Sequence, residues 1–255
     1  MERDGVPVLR ISRKEVDLLV SDAAQSLGKL LKSGDAVVAA SARAPCKDSA
    51  MLIDNMRLAR AMVQAVAAAK VAHVVNISSD AVYADSAQLL TEASCAEPGS
   101  LHGAMHLARE TIFRSEQSAP LAILRPSLLY GAADPHSGYG PNRFRRLAAK
   151  GEDIALFGEG EERRDHVFID DLAELAARVL YRRSTGVLNI ATGTVHSFAE
   201  IAERVSGARS AIKTTPRSGP MPHNGYRPFD ISACRAAFPD FRYTPLEEGL
   251  RKARG

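Results

Sequence analysis

The sequence predicts an α/β fold, a doubly wound parallel sheet (Rossmann-like) with a smaller C-terminal substrate lobe, and three observations carry that reading. Two short apolar runs, DAVVAA at 35–40 and VAHVVNIS at 71–78, read as strands covered on both faces. A long stretch with apolar residues at helical spacing lies between them, as a parallel crossover requires. The first run ends in Ser41-Ala42 and the second in Ser78-Ser79-Asp80. In such sheets ligands bind beyond the carboxyl ends of the strands.

The bulk numbers set the class. At 255 residues the chain suffices for one α/β domain, alone or with a smaller lobe. Its 33 basic and 30 acidic residues are interspersed, with no basic block to engage nucleic acid. No apolar run nears the roughly 20 residues that span a bilayer, and MERDGVPVLR lacks the apolar core of a secretion signal. Cys46, Cys95 and Cys234 are odd in number and far apart, which fits a reducing cytoplasm better than a disulfide frame.

In chain order, residues 6–11 form a short strand and residues 16–19 are a candidate for a second. Ser21 can cap a helix over 22–31, which Ser33-Gly34 stops. The strand at 35–40 leads to a helix over about 49–70, where Leu52, Met56, Ala59, Met62, Val63 and Val66 share a face. After the strand at 71–78 and a Pro98-Gly99-Ser100 turn comes a helix over about 102–115. Residues 121–124 make a strand ended by Arg125-Pro126, and DPHSGYGPN is kept irregular by its turn residues. A short helix over 143–150 and a short strand at 154–157 follow. Residues 170–181 have helical spacing, with acids first and arginines last as the macrodipole favours. Residues 187–190 are a strand, Ser197 caps a helix to about Val205, and from Arg209 the chain is loop-rich until Ser232 opens a last short helix. The sheet domain is expected over 1–130 and the substrate lobe over 131–255, with about 166–192 returning to the sheet.

ISSDAVY at 77–83 resembles the strand-end motif of the NAD-dependent epimerase/dehydratase family, the extended short-chain dehydrogenases that act on nucleotide sugars. In that family a Ser or Thr at the place of Ser79 assists a Tyr and a Lys spaced Y-G-x-x-K. Here the segment reads His102-Gly103-Ala104-Met105-His106: the frame, with Leu107-Ala108 and Glu110, is kept, but both catalytic letters are His. ILRPSLLYG resembles the family's R-P-x-N-V-Y-G, with Leu128 in place of the Asn. LFGEGEERRDHVFIDDLAE resembles its G-x-G-x-x-x-R-D-x-x-x-V-x-D, and YRPFDIS is a weaker echo. The matches run from about residue 35 to 249. They imply NAD or NADP bordered by Ser41, Ala42, Ser78, Arg125 and Pro126, and a nucleotide-sugar met by Asp80, Arg164 and Arg227. Two guanidiniums suit a diphosphate because each forms paired charge-assisted hydrogen bonds. The resemblance also implies a homodimer through paired long helices.

Family members begin with a glycine-rich turn between strand and helix that holds the dinucleotide. The first glycines here are Gly5, Gly28 and Gly34, and VPVLRISRKEVDL resembles the family's second strand. A β–α unit of roughly thirty residues is therefore expected upstream of Met1, unless residues 6–11 shift into the central slot. In the family register, Arg13 would favour the 2′-phosphate of NADP.

Three functions compete. The first is NAD(P)-dependent epimerisation or reduction of a nucleotide-sugar, with Ser79, His102 and His106 as a proton relay, since an imidazole suits proton transfer near neutral pH. Dehydration is disfavoured because Ala81 stands where the family's acid would be. The second is a binder of nucleotide or nucleotide-sugar that keeps the fold without turnover. The third is a metal site on His102 and His106, four apart on one face, for which only Cys95 or Asp80 offers a third ligand; no metal is the expectation. The sequence leaves plainer roles open too: Ser79 as a turn cap, Arg164 and Arg227 as ion-pair partners, Tyr83 and Tyr130 as packing residues. His73, His136, His166, His196 and His223 read as structural or exposed.

Overall fold

The structure, a computed structural model, describes residues 5–116, 119–134, 137–206 and 210–254. His136 and Arg209 of the sequence reading lie outside them. The chain divides into two units: residues 1–83, 96–125 and 174–188 form the first, and residues 84–95, 126–173 and 189–255 the second.

The first unit is built on the apolar runs. Strands β1 (Ala36–Ala39), β2 (His73–Ile77) and β3 (Leu121–Pro126) pair in parallel, and β7 (Gly186–Ile190) completes the order β1-β2-β3-β7. The long crossover is α2 (Ser49–Ala69). Asp48 opens it by accepting a bond from the Met51 amide at 2.8 Å, and Lys70 closes it in the left-handed conformation. The predicted face was too narrow: α2 buries Asn55, Leu58, Ala61 and Ala65 as well as Ala59, Met62, Val63 and Val66, because α1 (Ala23–Gly28) and α3 (Leu101–Glu116) flank it. Leu58, Met62, Val63, Val66, Val71, Val74 and Phe113 form the core. Each such side chain contributes about 1.5–3 kcal/mol on leaving water.

The amino-terminal expectations fail. Residues 6–11 and 16–19 form no strand, the latter being irregular with a turn at 18–19, so neither segment enters the sheet. Ile11, Val16, Leu18 and Leu19 pack as irregular chain against the α2 core instead. The helix expected over 22–31 is only six residues long, with Asp22 rather than Ser21 at its N-cap position and no side-chain cap. Among the described residues β1 has a neighbour on one side alone. A groove of about 1030 Å³ runs beside it, lined by Val8, Leu9, Leu30, Val38 and Tyr181 among others.

In the second unit β4 (Leu128–Tyr130), β6 (Arg163–Phe168) and β10 (Tyr226–Arg227) pair in parallel, with β8 (Val195–Ser197) antiparallel to β6. β5 (Ile154–Phe157) pairs with β9 (Ile212–Thr215). Strands β9 and β10 fall in the stretch from 209 expected to be loop-rich, and β4, β6 and β8 in stretches for which the sequence suggested no element. The strand expected to stop at Leu124 runs through Pro126. Helix α4 (Pro141–Lys150) starts two residues early, on a proline that needs no amide partner there. Then come α5 (Ile169–Arg182), with Asp170 and Asp171 in its first turn, and α6 (Phe198–Val205), capped by Ser197 as expected. After α7 (Ser232–Ala237) a further helix, α8 (Leu246–Lys252), was not foreseen. Tyr130, Phe144, Ile154, Phe168, Phe198, Ile201 and Leu250 share this unit's core.

Candidate functional site

Strand β2 delivers Ser78, Ser79 and Asp80 to its carboxyl end, where Asp80–Val82 form one 3-10 turn. Ser79 caps that turn, its Oγ accepting from the Ala81 amide at 3.2 Å. The same oxygen stands 3.5 Å from Asp80 Oδ1. The first turn of α3 packs onto this one. A Cβ on Gly103 would lie 2.0 Å from the Ala81 carbonyl oxygen, so only glycine permits that approach.

His102 and His106 project from α3 with ring centroids 4.7 Å apart, edge to face. His102 is half-buried, and its Nδ1 accepts a long bond from the Cys46 amide at 3.4 Å. His106 is buried, and its Nδ1 has no partner. Burial, then the nearby His102 and Arg109, drive its pKa down to about 3 against the opposing pull of Asp80. At neutral pH it is a neutral imidazole where the family has an ammonium. Thus Asp80, His102 and His106 gather at the carboxyl end of β2, with Ser79 engaged in its own turn.

Ser78 and Arg125, expected at a cofactor, are both bonded to Glu110. Ser78 Oγ donates to Glu110 Oε1 at 2.6 Å, and Arg125 grips both carboxylate oxygens through Nε (2.9 Å) and Nη2 (2.7 Å). Arg114 reaches the same carboxylate at 3.3 Å, and the Arg125 guanidinium lies 4.8 Å above the Tyr83 ring. Pro126 is buried at the end of β3. Ser41 is exposed and Ala42 half-buried past β1, and the Ser41 carbonyl accepts from Arg109 Nη1. Arg109 is wholly buried and was missed from the sequence because it occupies no motif letter. Its only signal was position, three residues after His106 on the same helix face.

Arg164 and Arg227 lie in the second unit, directly opposite each other in the parallel β6–β10 register. Arg227 is fully buried, with Nη1 donating to the Ala84 carbonyl at 3.0 Å and lying 3.1 Å from His223 Nδ1. Arg164 meets Glu162 at 3.2 Å. Asp165, next to Arg164 in the chain and also missed, accepts from Ser127, from the Thr192 amide and hydroxyl and from the Gly193 amide at 2.8–3.0 Å. It ties β6 to the loop after β7.

The other described histidines make local contacts. His73 Nε2 lies 2.7 Å from the Ser184 carbonyl, His196 pairs with Glu200 at 3.1 Å, and His223 contacts Asp85. His166 is buried beside Phe198, and burial lowers its pKa to about 3. Among the described residues no three His, Cys, Asp or Glu side chains converge as metal ligands, and no helix is long and apolar enough to cross a membrane.

A model of the NAD dependent epimerase/dehydratase family matches residues 2–191. Among solved structures, the chain is similar to UDP-N-acetylglucosamine 4-epimerase from Methanobrevibacter ruminantium M1, at 21% identity and a TM-score of 0.79, covering 93% of this chain and 80% of that one. It is similar to UDP-glucuronic acid 4-epimerase from Bacillus cereus at 22% identity and a TM-score of 0.79, covering 93% and 78%. Pal from Bacillus thuringiensis matches at 19% identity and a TM-score of 0.78, covering 91% and 79%. At these identities the likeness is one of fold.

Proposed function

The chain belongs to the NAD-dependent epimerase/dehydratase family, and on that premise we propose that it binds a nucleotide-sugar whose diphosphate is held by Arg164 and Arg227. The observation that carries this reading is their in-register pairing on β6 and β10. In a parallel pair register partners project to the same face of the sheet, and a diphosphate offers each guanidinium a bidentate, charge-assisted contact.

The first unit's residues do not fit a dinucleotide in the family's manner. His106 stands where the family's lysine would bind the cofactor ribose, and its buried imidazole is neutral. Ser78 and Arg125 are committed to Glu110, and Arg109 fills the space between α3 and the Ser41 carbonyl. These side chains therefore offer hydride transfer no support, and the reading is that of a sugar-nucleotide binder.

One observation favours a second reading, acid–base chemistry at the carboxyl end of β2. The His102 imidazole is only half-buried and belongs to the Asp80–His106 group, so it stays open to proton transfer.

Calorimetry with UDP- and dTDP-sugars, NADH and NADPH separates these. Binding of a sugar nucleotide alone, weakened about tenfold or more by Arg164→Ala, is the expected result. Cofactor binding accompanied by turnover that His102→Ala abolishes would replace the binder with the enzyme. Failure of every sugar nucleotide to bind sinks both.

A further inference from the structure

Among the described residues Arg109 is a buried cation without a countercharge. It shares one face of α3 with His102 and His106, while Glu110, the next residue, turns towards β3 and receives Arg125. The two arginines make an internal comparison. Arg125 presents its Nε and Nη2, the parallel edge of the guanidinium fork, to both oxygens of Glu110. Arg109 spends only Nη1, on the Ser41 carbonyl. Its Nε and Nη2 are closed off from solvent with no partner, and no carboxylate of the described residues forms an ion pair with it. His106 Nδ1, one helical turn earlier, is also buried and unpartnered. Leaving a buried charge uncompensated is strongly destabilising, so an arginine here is costly unless something anionic shares the site.

We propose that Arg109 and His106 form a binding site for a single oxyanion, a carboxylate or a phosphate group, gripped by Arg109 Nε and Nη2 and by the Nδ1–H tautomer of His106. The fork edge selects two oxygens of one group, as Glu110 already shows for Arg125. The cover is the irregular segment between β1 and α2. It touches this helix face through the Ser41 carbonyl on Arg109 and the Cys46 amide on His102, and Asn55 of α2 anchors it by bonding both the amide and the carbonyl of Arg43. Lifting residues 41–46 breaks the two hydrogen bonds to α3, the two between Arg43 and Asn55 and the Arg43–Asp54 ion pair, and opens the fork. The site lies wholly in the first unit and stands independently of the diphosphate reading at Arg164 and Arg227.

The test uses inorganic phosphate and glucuronate as probes, with melting temperature and the His106 imidazole nitrogen resonances as readouts. In the wild-type chain at least one probe is expected to raise the melting temperature and move the His106 resonances, and the tighter of the two identifies the anion. Arg109→Met should abolish the movement of the His106 resonances, a readout confined to this helix face. Without probe, Arg109→Met should melt no lower than wild type, because it removes an uncompensated charge while keeping the volume. If Arg109→Met does not fold, Arg109→Lys keeps the charge without the fork and should weaken binding about tenfold. Wild-type His106 resonances unmoved by both probes, or an undiminished response in the Arg109 variant, overturn the proposal.

Discussion

At His106 the spacing of the helix was legible and the environment was not. H-G-x-x-H placed both rings on one face of α3, but the neutral state of the His106 imidazole comes first from burial, then from His102 and Arg109, and spacing reveals neither the burial nor Arg109. The pH consequence follows from His106 and His166 together. Both have folded pKa values near 3 against 6.5 in the open chain. Between those values the unfolded chain takes up protons that the folded chain refuses. Stability present above pH 6.5 is therefore lost as pH falls towards 3, by up to about 1.4 kcal/mol per pH unit for each histidine. Denaturant midpoints at pH 7, 6 and 5 should fall in step, and His166→Phe, which suits the Phe198 contact, should flatten part of the slope. A level wild-type profile would contradict the burial of both rings. Glu110 was legible as part of the family frame, but not as a carboxylate shared by Ser78, Arg114 and Arg125. Glu110→Ala leaves Arg125 buried and unpaired and should cost about 3–5 kcal/mol, read from urea unfolding. Restoring stability with Arg125→Met in the same chain would show that the loss lies in the orphaned charge.

Among the elements, those whose pattern is local were read correctly. The buried strands β1 and β2 and the helices α2, α5 and α6 declare themselves by apolar run, helical spacing and cap. Strand β6, RRDHVF, has no apolar run until its last two residues; β4, β8 and β10 make it a strand by offering edges to pair with. No composition rule finds such a strand, because the pairing is non-local. Residues 6–11 show the converse, since an apolar, β-branched string with nothing to pair with among the described residues stays irregular. The contact of α3 with the Asp80–Val82 turn can be tested at one atom. Gly103→Ala places a methyl group 2.0 Å from the Ala81 oxygen and must push helix and turn apart, costing about 1–3 kcal/mol. A variant with unchanged melting temperature would mean that this contact is looser than described. Asp48→Ala, which removes only the α2 cap, should cost about 1 kcal/mol by the same measurement.

At the scale of the molecule, the α/β class and a Rossmann-like sheet with a separate C-terminal lobe were legible from alternating strands and helices. The division into units follows the chain less simply. Residues 84–95 leave the sheet unit early and 174–188 return to it, because helix α5 begins in one unit and ends in the other. Of the expected site residues, Asp80, His102 and His106 gather near the end of β2 while Ser79 caps its own turn, and Arg164 and Arg227 are register partners on β6 and β10. What escaped notice was how many of the expected ligand residues are already bonded to one another. Arg109→Met and Arg164→Ala should therefore act on separate ligands in separate units. A single ligand whose affinity both changes alter equally would merge the two sites.

The free flank of β1 has a practical consequence. Val38 is 43% exposed and Leu9 64%, beside backbone groups that no strand among the described residues satisfies on that side. Such a border is a template on which another extended chain can crystallise, and charge is the usual deterrent. Concentrated solutions should accordingly turn turbid on storage, with light scattering rising faster than in a Val38→Lys variant kept alongside.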